Sequence, residues 1–230
     1  MISSISKYYI ATTIAIIFHC IGLAGIFFGN KAFFIECTPI NLLLSFVLLL
    51  WTQAEKNAYF FLFILVVCVG GFFVEVTGVK TGFLFGKYQY GNVLGIKWQN
   101  VPLLIAINWF IIIYCSGVCT YSLLMKVING IAAKTAEPSI VLRATSVIVD
   151  GATLAVLFDW LMEPVAIKLG FWQWLDDGTI PWFNYICWFV ISALFLTVFH
   201  FCKFKKQNKF AVNLLMIQFM FFLLLRTFLK

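Results

Sequence analysis

Long apolar runs separated by short polar breaks dominate this chain, and a helix needs roughly 20 mostly apolar residues to cross a bilayer. The runs predict spans at about 8–28, 39–52, 58–78, 101–125, 141–167, 182–202 and 209–228. The expected fold class is all-α, a polytopic integral membrane helix bundle of about seven transmembrane helices forming one domain over 1–230. The first run, from Tyr8 to Phe28 behind Lys7, is longer than a signal-peptide core and has no small-residue cleavage site, so it reads as the first span. The second is short and opens at Pro39. It is either extended by the apolar segment Ala32–Ile35 or re-entrant, in which case the topology beyond it inverts.

Composition supports the same reading. Hydrophobic residues make up 63% of the chain and charged ones 11%, against about 45–50% and 25% in soluble domains. The net charge of +7, from 16 Lys and Arg against 9 Asp and Glu, comes from cations that flank apolar runs; they serve topology, and nucleic acid is not an expected partner. In a seven-span chain 9 of these cations fall on the N-terminal side and 7 on the other. With the cluster Lys203, Lys205, Lys206 and Lys209, this favours a cytoplasmic N-terminus by a small margin. The seven cysteines sit mostly in apolar stretches without a CxxC pair and read as reduced hydrophobes. His19 and His200 are isolated, so no metal site is expected. The absence of a P-loop, a GxSxG and a dinucleotide fingerprint leaves nucleotide and serine-hydrolase chemistry without support.

Two connections are more than turns. Residues 79–100 are rich in Gly, Tyr and Phe, suiting a lid or re-entrant hairpin at the interface, and residues 168–181 repeat the theme with Trp172 and Trp174 before Asp176, Asp177 and Gly178. Both fall on one side of the membrane. Candidate chemistry lies beneath them. Glu75 closes the third span, and Asp150, Asp159 and Glu163 lie along the fifth. An ionised acid at mid-bilayer costs about 2.5–3.5 kcal/mol, so such groups face the bundle interior, find partners or take up a proton. Asp159 and Glu163, four residues apart, share a helix face, whereas Asp150 points roughly opposite and reads as structural. Glu75 reaches the same depth as the pair. Three carboxyls under a roof of aromatic rings are suited to acid–base work; the plainer alternative is that each acid only glues helices together. Asn108 reads as a helix-packing residue.

The motifs Glu75-x-x-Gly78-x-x-Thr81-Gly82, Phe85-Gly86-x-Tyr88-x-Tyr90, Val101-Pro102 followed by Trp109, Asp159-x-x-x-Glu163-Pro164, Trp172-x-Trp174 and Pro181-x-x-Asn184-x-x-x-Trp188 cover about 75–188, the expected pocket-forming region. In order and spacing they resemble the membrane carotenoid biosynthesis proteins, the family that includes the carotenoid 1,2-hydratases and bisanhydrobacterioruberin hydratase. Glu163-Pro164 stands where the resemblance leads one to expect Asp-Pro in many relatives, and the outer spans match only in hydrophobicity. The resemblance implies cofactor-free addition of water to the terminal 1,2-double bond of an acyclic carotenoid end of the lycopene or γ-carotene type. Asp159 and Glu163 would be the central catalytic pair and Glu75 the third member, with donor and base left open among them. Tyr88, Tyr90, Trp109, Trp160, Trp172, Trp174 and Asn184 are the expected substrate-binding residues. The aromatic ones could face a carbocation, which a desolvated ring stabilises by about 2 kcal/mol or more.

A carotenoid substrate, membrane lipid and other carotenoid-pathway enzymes are the implied partners, and a bacterial or archaeal cytoplasmic membrane the implied location. Two rivals remain at this stage. A membrane lycopene cyclase begins with a similar protonation but captures the cation with an internal alkene. A small-solute or proton-coupled transporter would use the same buried acids as relays, although no inverted repeat is visible.

Overall fold

A computed structural model describes residues 6–131 and 140–229 of the chain. In order, the elements are α1 (Lys7–Phe28), α2 (Lys31–Glu36), α3 (Thr38–Thr52), α4 (Ala58–Thr81), β1 (Tyr88–Tyr90), β2 (Lys97–Trp98), β3 (Val101–Pro102), α5 (Leu104–Ile131), α6 (Ile140–Lys168), β4 (Trp172–Trp174), α7 (Trp182–Phe201) and α8 (Lys209–Phe228). Among the described residues seven helical stretches are long and apolar enough to cross a membrane, with α2 and α3 together forming the second over Lys31–Thr52. The chain is therefore an all-α integral membrane protein. The second span takes the extended form. Cys37 between α2 and α3 keeps right-handed helical dihedrals, and Pro39 sits in the first turn of α3, where its missing N–H costs nothing. Of the cations weighed for orientation, Lys134 and Lys230 lie outside the described residues.

α5 forms the centre of the bundle. Phe110 through Cys115 are buried without a break, as expected of a helix that is apolar on every side and surrounded by others. α4 and α6 pack on it, α7 closes against α6, and α8 packs between α1, α5 and α6. The outward faces stay apolar. On α4, Phe61, Leu62, Leu65, Val69 and Phe73 are all exposed, a surface matched to lipid.

The two long connections meet. β1 from the first pairs antiparallel with β4 from the second, in register Tyr88↔Trp174, Gln89↔Gln173 and Tyr90↔Trp172, while β2 and β3 form a small hairpin beside them. Because side chains alternate across a strand, Tyr88, Tyr90, Trp172 and Trp174 all turn inward and the two glutamines outward. Glycines allow the approach. A Cβ on Gly91 would stand 2.0 Å from the carbonyl oxygen of Gly170, so only a residue without a side chain fits there. Gly82, in the left-handed conformation at φ 64°, ends α4 and turns the chain into the first connection.

Pro164 lies inside α6. Having no N–H, it cannot bond the carbonyl four residues earlier, that of Trp160. Arg226 on α8 takes the vacant acceptor, with Nη1 donating to the Trp160 carbonyl at 2.6 Å while its guanidinium lies 3.9 Å from the centre of the Trp160 ring. The helix is thus stapled to α8 beside its proline.

At the opposite end of the bundle, a buried polar knot ties two connections to α5. Asn208 Nδ2 donates to Thr52 Oγ1 and to the Tyr114 hydroxyl, each at 3.1 Å. Tyr114 donates to Gln53 Oε1 at 2.6 Å, and Gln53 Nε2 to the Lys205 carbonyl at 2.9 Å. The Asn208 side chain also accepts from Phe210 and Ala211 N–H as the N-cap of α8. Replacing Asn208 by Leu leaves several of these groups without partners. The variant is expected to lose about 1–3 kcal/mol of stability, seen as a lower unfolding midpoint of the detergent-solubilised protein by intrinsic fluorescence.

Candidate active site

Glu75 is 5% exposed and sits roughly 25 Å along α4 from its first residue, at about 1.5 Å per residue, close beneath the paired loops. Three donors converge on it. The Tyr88 and Tyr90 hydroxyls donate to Oε2 at 2.5 and 2.8 Å, and Trp109 Nε1 donates to Oε1 at 2.9 Å. The phenols belong to the loop sheet, and burial, together with the neighbouring Glu75 charge, holds both well above the ordinary tyrosine range. They therefore serve as donors at any physiological pH.

The backbone of α4 makes room for these donors. Gly71, Glu75 and Gly78 follow one another at spacings of four and three, along one face. A Cβ on Gly71 would come within 2.6 Å of the Trp109 ring, and one on Gly78 within 2.7 Å of the Tyr88 hydroxyl. Bare backbone on either side of the carboxyl lets both rings lie against the helix.

Asp159 and Glu163 are 0% and 2% exposed. One turn apart on α6, their carboxyls interact directly. Trp172 and Trp174 each donate an indole N–H to Glu163 Oε1 at 2.7 Å, and Asn184 Nδ2 donates to Asp159 Oδ2 at 2.9 Å. No protein donor reaches Asp159 Oδ1 among the described residues. Its neighbour one turn along the helix, Glu163, is itself a carboxyl. A proton on either carboxyl turns the contact into a hydrogen bond, whereas without one the two oxygens repel.

The three acids line one chamber of about 30 Å³, room for a water molecule or two. Tyr88, Tyr90, Trp109, Trp172, Trp174 and Asn184 line it with them, as do Phe85, Met162 and Trp188. Trp109 and Trp188 stack with ring centres 4.2 Å apart and planes 16° from parallel, which fixes the indole that serves Glu75. Asn108 lines the chamber too. Trp160 does not join them. It lies on the outer face of α6, 49% exposed, under Arg226; one step beyond Asp159, it is turned about 100° from it, and the break at Pro164 gives it a structural task instead. Asn184 is at the site, but what it touches is Asp159. Asp150 is exposed on α6, bonded to Ser146.

Sequence reading passed over Gly71, Phe85, Met162 and Trp188 as site residues. Trp188 had a usable signal, since it follows Asn184 by one helical turn on the same face. Gly71 precedes Glu75 by the same interval, but only its partner Trp109 explains it. Among the described residues no group of three His, Cys, Asp or Glu is arranged to hold a metal ion.

The fold places three buried carboxyls around one chamber inside a membrane-spanning helix bundle. Residues 37–230 match the carotenoid biosynthesis protein family, to which the chain therefore belongs. Over 131 residues it is 26% identical to bisanhydrobacterioruberin hydratase of Haloarcula japonica, a stretch covering 56% of this chain and 40% of that protein. The aligned part thus spans well under half the length of that relative. No solved structure matches the chain.

Gly71→Ala tests the support of Glu75. The added methyl group overpacks the Trp109 ring and is expected to cost about 1–3 kcal/mol, read as a lowered unfolding midpoint together with a changed near-ultraviolet circular dichroism band from the displaced indole.

Proposed function

We propose that this protein is a carotenoid hydratase that adds water across the terminal 1,2-double bond of an acyclic carotenoid end group, acting in a bacterial or archaeal cytoplasmic membrane beside other enzymes of carotenoid synthesis. The observation that carries the reading is the buried Asp159–Glu163 pair, two carboxyls in contact with an acceptor oxygen left over, next to a Glu75 already satisfied by three donors. Membership of the carotenoid biosynthesis family and the distant likeness to a hydratase support the substrate class.

In this reading the pair holds one proton between its carboxyls and delivers it to the less substituted alkene carbon. A tertiary carbocation is left. Glu75, whose oxygens accept three hydrogen bonds and need no proton of their own, supplies negative charge nearby, and the faces of Trp109 and Trp188 contribute cation–π stabilisation of about 2 kcal/mol in a dry site. A water molecule in the chamber attacks the cation, and Asp159 Oδ1, which has no protein donor, accepts the proton that the water sheds. That proton restores the dyad. The balance is alkene plus water to tertiary alcohol with no change of oxidation state overall, so the reaction calls for no redox cofactor. A general acid and base of this kind contribute about 10²–10⁴-fold, and both roles fall on one pair.

Expression in a host that accumulates lycopene or γ-carotene tests the reading by product mass. Hydration adds one water per reacted end, cyclisation leaves the mass unchanged, and solute flux in proteoliposomes without any change to carotenoid marks a transporter. Asp159→Asn and Glu163→Gln are each expected to lower product at least about 10²-fold while the protein still accumulates in the membrane. Unimpaired hydration by both variants removes the pair from the chemistry.

A further inference from the structure

A second and larger cavity, about 330 Å³ in volume, adjoins the carboxyl chamber. The two lie side by side, with Ile105, Asn108, Met162 and Trp172 lining both. From that shared wall the cavity extends between α1, α3 and α8 to a rim of Phe18, Ile21, Phe33 and Ile40. All four rim residues are exposed and belong to the membrane-spanning stretches, so the opening faces lipid sideways rather than water. Protein interiors contain few voids larger than a water molecule, and pockets that enclose small organic ligands begin at about 300 Å³. The space is therefore too large to be a packing defect.

We infer that this cavity is a subsite for the isoprenoid arm of the substrate, holding the polyene that continues from the reacting end while the chamber takes only the terminal alkene. The identity of the reacting end rests on the hydratase reading; the cavity as a polyene site does not. Its volume sits at the low end of ligand pockets, so a full-length carotenoid leaves most of its chain in the bilayer. One end enters at a time, and a molecule with two reactive ends must leave and return to complete its second hydration.

Gly22 sets the width of the subsite. It borders the cavity on α1, and a Cβ there would meet the Phe221 ring at 3.6 Å, an ordinary van der Waals contact. A longer side chain there is expected to take up cavity space beside Phe221, which lines the cavity with it.

The test compares wild type, Gly22→Ala and Gly22→Leu, each expressed at full length in a host that accumulates lycopene and purified in lipid nanodiscs, with bound lycopene per protein and hydrated product both measured. Wild type and Gly22→Ala are expected to retain lycopene and convert it, whereas Gly22→Leu retains and converts at least about tenfold less, a loss that follows side-chain size while all three elute as the same folded species. Equal retention and conversion by wild type and Gly22→Leu overturns the subsite, as does a wild type that retains no lycopene. Lycopene held by wild type, excluded by Gly22→Leu and hydrated by neither leaves the subsite standing and removes the hydratase reading instead.

Discussion

Three carboxyls cannot rest inside an apolar bundle without donors, and most of the distinctive architecture on one side of this protein meets that demand. Each acid on insertion costs about 2.5–3.5 kcal/mol if charged and unpartnered. The two loops answer with a two-stranded sheet too short to be stable alone. It persists because its inward face is bound to the bundle by four side-chain donors, Tyr88 and Tyr90 to Glu75 and Trp172 and Trp174 to Glu163. Sheet and acids hold each other in place. The same four rings line the chamber, so the groups that satisfy the acids also form its wall.

The satisfaction is uneven, and the unevenness divides the labour. Glu75 receives one donor on one oxygen and two on the other, while Glu163 receives both indoles on a single oxygen and Asp159 only Asn184. Had the bundle evolved for stability alone, a second donor at Asp159 Oδ1 would be an easy gain. The far end of the molecule shows such completeness. There Asn208, Thr52, Tyr114 and Gln53 close a network anchored on backbone carbonyls. In the proposed reading, the position left open at Asp159 Oδ1 is the one that takes up a proton or a water.

Much of this was legible in the chain. The spans follow from run length, and the period-two patterns Tyr88-x-Tyr90 and Trp172-x-Trp174 place four rings on one face once both segments are strands. The i, i+4 spacing of Asp159 and Glu163 sets the pair. Pairing of the two loops in register was beyond the sequence, because it depends on Gly91 meeting Gly170 at backbone contact, a fact of tertiary approach that local pattern does not encode. Trp160 misled for a related reason. Beside Asp159 it reads as site wall, but a proline four residues later frees its carbonyl, and Arg226, 66 positions away, claims both carbonyl and ring.

The two cavities divide opposing demands. A hydration site needs water and a polyene needs its absence, and one space cannot satisfy both. Here the polar chamber admits a water or two among carboxyls, while the adjoining apolar space opens to lipid through exposed phenylalanine and isoleucine. Ile105, Met162 and Trp172 form the boundary together with Asn108, whose amide is the polar group on the wall common to both. In the proposed hydratase reading, an alkene presented across that boundary meets acid and water on one side while its apolar arm remains solvated by hydrocarbon on the other. In that reading the carbocation forms beside water, which is the condition that separates hydration from ring closure.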